Sequence, residues 1–174
     1  MIKFLSDMFN NPYFVILSGV ITVISLLGVV YIVYLIIKGI FPVLYRLGLG
    51  LSNRKIAIFA DQEYNSLKDI FVDSKIFKDK NIIQINSNSI KKGEEISIML
   101  VHWKCCQNCI DDILDIKKDS DALIVYAPRH EGLIDNDNLE KINNQRNSII
   151  VNFRGRLLND ILVSMITTIY SKKG

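Results

Sequence analysis

Five cations and one indole follow apolar runs at spacings that let a parallel sheet bring them to one edge. They are Lys104, Arg129, His130, Arg154 and Arg156, with Trp103 beside the first. The densest group is the run Phe153-Arg154-Gly155-Arg156-Leu157. Two guanidinium groups can clamp a phosphate bidentately. Gly155 allows a tight turn into the helix that follows, whose free N–H groups attract the same anion. Trp103 offers a flat face on which a base can stack. These residue types point to a nucleotide or a short single-stranded oligonucleotide as ligand. The competing assignment makes them solvated loop charges paired with Asp61, Glu63 and Glu131, with Trp103 in the core.

A second constellation is His102, Cys105, Cys106 and Cys109, spaced H-x2-C-C-x2-C. Structural zinc sites draw their ligands from two separated segments. Here all four fall within eight residues entering a helix, so no metal is expected. Half-buried thiols are the expectation, with Cys106 or Cys109 open to a lowered pKa and redox sensitivity. Three cysteines cannot pair completely, which suits a reducing compartment. No nucleophile–base pair stands out, so neither a catalytic residue nor a cofactor is expected, and the chain reads as a non-enzyme.

Alternating elements must position these residues. Apolar runs at Lys55–Ala60, Asn81–Ile85, Ile96–His102, Ala122–Ala127 and Ser148–Phe153 predict five strands. Helical spacing predicts helices over Tyr64–Ile76, Cys106–Lys117, Asn138–Gln145 and Arg156–Tyr170. The second crossover, Asn86–Glu95, is short and polar, with a helix of one turn or none. Strands that are apolar throughout are covered on both faces, which requires a parallel sheet. The expected fold is a five-stranded parallel flavodoxin-like three-layer sandwich with strand order 2-1-3-4-5.

Familiar chemistries of such sheets are missing from the strand ends. His102-Trp103-Lys104 supplies no phosphoacceptor Asp for a receiver domain. Asp61-Gln62-Glu63 would repel the phosphate of a flavin, and GxGxxG is absent. In size and alternation the chain resembles TIR-type domains, without a catalytic Glu in a comparable helix.

Before this domain, Tyr13–Ile37 runs 25 residues without a charge. At ~1.5 Å per residue it can cross a hydrocarbon core of about 30 Å. Lys3 and Asp7 flank it on one side and Lys38, Arg46, Arg54 and Lys55 on the other, so the N-terminus is expected outside and the domain in the cytoplasm. Ser18, Thr22 and Ser25 share one helix face and suit helix packing in a homo-oligomer, or a pore lining. The alternative is a plain anchor whose hydroxyls bond back to their own helix. Gly39-Ile-Phe-Pro42 should break or kink the helix. Val43–Leu51 then reads as an interfacial segment, giving domains 1–51 and 52–174.

The chain is 49% hydrophobic with a mean hydropathy of +0.24, and the excess sits in residues 13–51. From Leu51 onward 18 of the 21 Lys/Arg and 17 of the 18 Asp/Glu remain. That near-neutral balance excludes a duplex-binding face, which needs broad positive charge.

The whole architecture, with the runs APRHEG and NFRGRLLNDIL inside Ala122–Ile169, resembles the small membrane effectors of bacterial anti-phage nucleotide-signalling systems, of the Hailong or CBASS type. The resemblance implies a single-pass protein of the bacterial inner membrane that assembles as a homo-oligomer, a tetramer favoured. It also implies control by the product of a nucleotidyltransferase encoded in the same operon. A membrane-tethered TIR-like NAD hydrolase and a scaffold recruiting a cytosolic partner are the alternatives.

Overall fold

The computed structural model describes residues 11–168. Lys3 and Asp7, and the expected end of the last helix at Tyr170, lie outside the described residues, as does the side chain of Arg46. The chain divides into two compact units, Met1–Leu44 and Tyr45–Gly174.

The first unit is the bulk of one long helix, α1 (Pro12–Asn53), long and apolar enough to cross a membrane. Its residues up to Tyr45 are exposed. The helix does not end at Gly39–Pro42, contrary to the sequence expectation: Pro42 lies inside it. Proline removes one backbone donor, which a long apolar helix tolerates where a short soluble one breaks. Nor is 43–51 a separate interfacial segment. It is the last stretch of α1, and Leu47 and Leu51 pack against the core of the second unit.

In the second unit the strands are β1 (Ile56–Phe59), β2 (Ile82–Ile85), β3 (Ile98–His102), β4 (Ala122–Tyr126) and β5 (Ser148–Val151). They form one sheet in the order β2-β1-β3-β4-β5, with every pairing parallel. β1, β3 and β4 are buried along their whole length, as their uninterrupted apolar sequences require. Alternate residues feed two cores. Ile56, Ile58, Ile98, Leu100 and Ile124 meet α2 (Tyr64–Asp73) through Leu67 and Phe71, together with the last helix. Ala57, Phe59, Met99, Val101, Leu123 and Val125 meet the other helices on the opposite face. This is an α/β three-layer arrangement consistent with a flavodoxin-like layout.

The crossover after β2 is a 3₁₀ segment, Ser87–Glu95. Gly93 lets it lie close to the sheet, since a Cβ there would fall 2.7 Å from Cζ of Phe59. After β3 the helix starts at once rather than at Cys106. α3 (Trp103–Cys106), a 3₁₀ turn (Gln107–Cys109) and α4 (Ile110–Ile116) run in succession. The buried stripe Trp103, Cys106, Ile110, Ile113 explains the earlier start, because it already holds helical spacing from Trp103. α5 (Asn136–Asn143) begins where Asp135 accepts a hydrogen bond from the Asn138 amide at 3.0 Å. A 3₁₀ turn, Arg154–Arg156, leads into α6 (Leu157–Thr167), which buries Leu157, Ile161 and Met165.

Candidate functional site

The parallel register aligns His102 with Tyr126 and Tyr126 with Val151. The segments leaving β3, β4 and β5 therefore emerge at one carboxyl edge, where ligands of open α/β sheets bind. Lys104, Arg129, His130, Arg154 and Arg156 all follow these strand ends and all are exposed. They do not form one uniform patch. Lys104 enters the helix on the face of α4 and α5, whereas Arg154 and Arg156 lead into α6 on the face of α2.

Carboxylates and carbonyls thread between the cations. Arg154 donates from Nη2 to the Ser66 carbonyl at 2.6 Å, tying the entrance of α6 to α2. Arg156 lies 3.8 Å from Asp160 one turn on. His130 lies 3.6 Å from Glu131, while Lys104 and Arg129 have no ion pair among the described residues. Tyr126 sits among these charges. Burial pushes its phenol up, Arg154 pulls it down, and Glu131 and Glu63 push it further up.

Trp103 is not a stacking platform. It is 2% exposed and belongs to the core beneath α3 and α4, since the helix that starts at this residue turns the indole onto the sheet. The aromatic that is presented is Phe153, 62% exposed and directly before Arg154. A separate cavity of about 440 Å³, lined by Ser87, Asn88, Lys91, Asp112 and Asp115 among others, includes none of these cations.

Cys105 and Cys109 are half-buried at a helix start, as expected, and Cys106 is buried; a lowered pKa at Cys106 or Cys109 is what the structure contradicts. Burial pushes the Cys106 thiol well above its ordinary range, with Cys109, Cys105 and Asp61 acting the same way. Burial raises Cys109 too, partly offset by a hydrogen bond with Cys106. Neither thiol is activated, because the cluster lies against the core and near Asp61 rather than against a cation. No three His, Cys, Asp or Glu side chains are grouped to hold a metal ion among the described residues.

One pairing at this edge has no counterpart in the sequence reading, which found no nucleophile beside a base. His102 Nδ1 is 3.3 Å from Cys105 Sγ, and His102 Nε2 is 2.8 Å from Glu131 Oε2. The second contact is an ion-pair approach without hydrogen-bond alignment. The H-x2-C spacing could have signalled the first contact, whereas nothing local in the sequence links Glu131 to His102.

At the other end of the domain Arg54 is 2% exposed. It donates from Nη1 to Thr168 Oγ1 at 2.6 Å and from Nη2 to the Thr168 carbonyl at 2.7 Å. Arg54 directly follows α1, and Thr168 directly follows α6. One helix thus joins the arginine turn at the carboxyl edge to the residue that ends the long apolar helix.

In α1, Ser18 donates to the Val15 carbonyl at 2.9 Å and Thr22 to the Ser18 carbonyl at 2.8 Å. In the single chain these hydroxyls are spent on their own helix, and Ser25 lies one turn further along the same stripe. No family model, curated protein or solved structure matches this chain.

Proposed function

We propose that this chain is a membrane-anchored effector whose α/β domain binds a nucleotide or short oligonucleotide and passes that event to its apolar helix. The observation that carries the reading is the course of α6. It begins at the exposed Arg154–Arg156 turn and ends at Thr168, held by Arg54 at the foot of α1. An anion drawn to the two arginines acts on the start of α6. Phe153 supplies the exposed ring beside them for a base. A ligand bound there competes with the Ser66 carbonyl and Asp160 for the guanidinium groups, so binding shifts the seat of α6.

In this reading α1 spans the bacterial inner membrane with the domain on the cytoplasmic side, and copies associate through the Ser18, Thr22 and Ser25 stripe, a tetramer favoured. Binding can bias the assembly only by different affinities for its two arrangements. A shift from 1:99 to 99:1 needs about 5.5 kcal/mol, which several identical sites reach by modest individual contributions. The likeness to anti-phage membrane effectors supplies the setting, with a nucleotidyltransferase as source of the signal.

The test is mass analysis of small molecules released on denaturing the purified full chain. The expected result is a nucleotide carried by the wild type and lost from Arg154→Glu/Arg156→Glu. A wild type that carries none, and that binds none of a panel of mono-, di- and oligonucleotides, overturns the reading. Turnover of NAD by the same preparation would favour a tethered hydrolase instead. If activity survives replacement of residues 1–50 by an unrelated anchor, the helix is only a tether and the scaffold reading holds.

A further inference from the structure

The proposed sensor leaves the most unusual group at the carboxyl edge unused. We infer that Cys105 is a peroxide-reactive thiol, activated by the His102–Glu131 pair, and that Cys109 is the thiol that captures its oxidised form. Three observations combine. Cys105 is half-exposed, and its Sγ lies 3.3 Å from His102 Nδ1. His102 is 1% exposed, so its ring is held by β3 and not by solvent. On the far side of the ring the Glu131 carboxylate approaches Nε2 to 2.8 Å. Nucleophile, base and a carboxylate thus follow one another, the order in which a base takes the proton of a thiol.

The groups around this pair are few. Glu131 and the Tyr126 ring, 5.8 Å away, face His102, and His130 faces Glu131 from the same loop. Asp61 and the two other thiols border the cysteine turn. His102 Nδ1 is the ring nitrogen that meets the Cys105 sulfur, and no such contact reaches Cys109 among the described residues.

The neighbouring thiols identify the substrate class. A thiol that transfers acyl groups has no use for two more thiols in the same turn, whereas a thiol that meets an oxidant does. A hydroperoxide also needs no built pocket. The Cys105 proton passes to His102, and the thiolate attacks one peroxide oxygen. The S–O bond forms as the O–O bond breaks, and the leaving oxygen takes the proton back from His102 as water or an alcohol. Sulfur is oxidised by two electrons and the peroxide is reduced by two. The Cys109 thiol then attacks the sulfenic sulfur, forming the S–S bond and releasing water from the sulfenic oxygen. Two equivalents of a low-molecular-weight thiol restore the reduced state by exchange and leave as their own disulfide.

The experiment uses the reduced full chain in detergent, treated with hydrogen peroxide in the presence of dimedone and analysed by peptide mass. Cys105 should be the labelled residue, with label accumulating further in Cys109→Ser because the capturing thiol is gone. His102→Asn and Glu131→Gln should each slow labelling about tenfold or more. A second measurement needs no variant at the buried histidine. Iodoacetamide should alkylate Cys105 of the wild type faster than Cys109. Equal alkylation of the two cysteines, or dimedone labelling centred on Cys109, would overturn the assignment.

Discussion

At the residue scale the decisive property is what lies behind each side chain. Cys106 is buried, its Sγ directed at the Phe59 carbonyl, and its thiol is held up by burial and by neighbouring sulfur and carboxylate groups. The sign of its pH effect follows from that. A folded-state pKa raised above the ordinary value near 9 means that the unfolded chain loses its proton first. The stabilising contribution is then complete below about pH 9 and shrinks as pH rises, by roughly 1.4 kcal/mol per pH unit for one proton. Unfolding followed by circular dichroism from pH 8 to 11 should show an alkaline fall in stability that Cys106→Ala makes shallower. Cys109 and Tyr126, also raised, contribute in the same direction, and Lys117, lowered by burial, in the opposite one, so the difference between wild type and variant reports Cys106 together with its hydrogen-bonded neighbour Cys109. The arginine pair and its exposed setting were legible from sequence, because charged residues after an apolar strand have nowhere to go but the edge. Trp103 was not, because a helix beginning one residue after the strand reverses which way the indole turns, and residue type does not carry that information.

Element boundaries show the same division. The five strands announced themselves as short apolar runs, and each observed strand lies inside its run, trimmed where an end residue leaves the ladder. Helix starts were harder to read. α3 begins at Trp103 because the buried stripe extends further toward the N-terminus than its aliphatic members, and α1 continues through Pro42 because one lost donor does not end a long apolar helix. The Arg54–Thr168 tie was invisible, since it joins residues 114 positions apart and uses a flanking charge that reads as a membrane-side cation. Its strength can be measured. Arg54→Ala removes two hydrogen bonds from a charged, buried donor and should lower the stability of the domain by about 2–3 kcal/mol. Thr168→Val removes one acceptor and should cost about 1–2 kcal/mol. The two substitutions should combine with less than additive effect in thermal or urea unfolding. Full additivity would mean that α6 and the end of α1 are not joined through this contact.

For the whole molecule, topology does what composition alone cannot. The near-neutral domain gives no global attraction for polyanions, yet the order β2-β1-β3-β4-β5 gathers its strand-end cations at one edge. Within that edge the two arginines before α6 form the densest positive turn, and the thiol–imidazole–carboxylate line stands apart from them at the end of β3. The long apolar helix was plain from 25 uncharged residues, whereas its hydroxyl stripe suits helix packing or bonding back to its own helix, and in the single chain Ser18 and Thr22 bond back. The most direct test of the account is equilibrium binding of fluorescent nucleotides to the full chain in lipid nanodiscs, wild type against Arg154→Glu/Arg156→Glu. Saturable binding by the wild type should weaken at least about tenfold, some 1.4 kcal/mol, in the double variant. Equal affinity in the two proteins would contradict it.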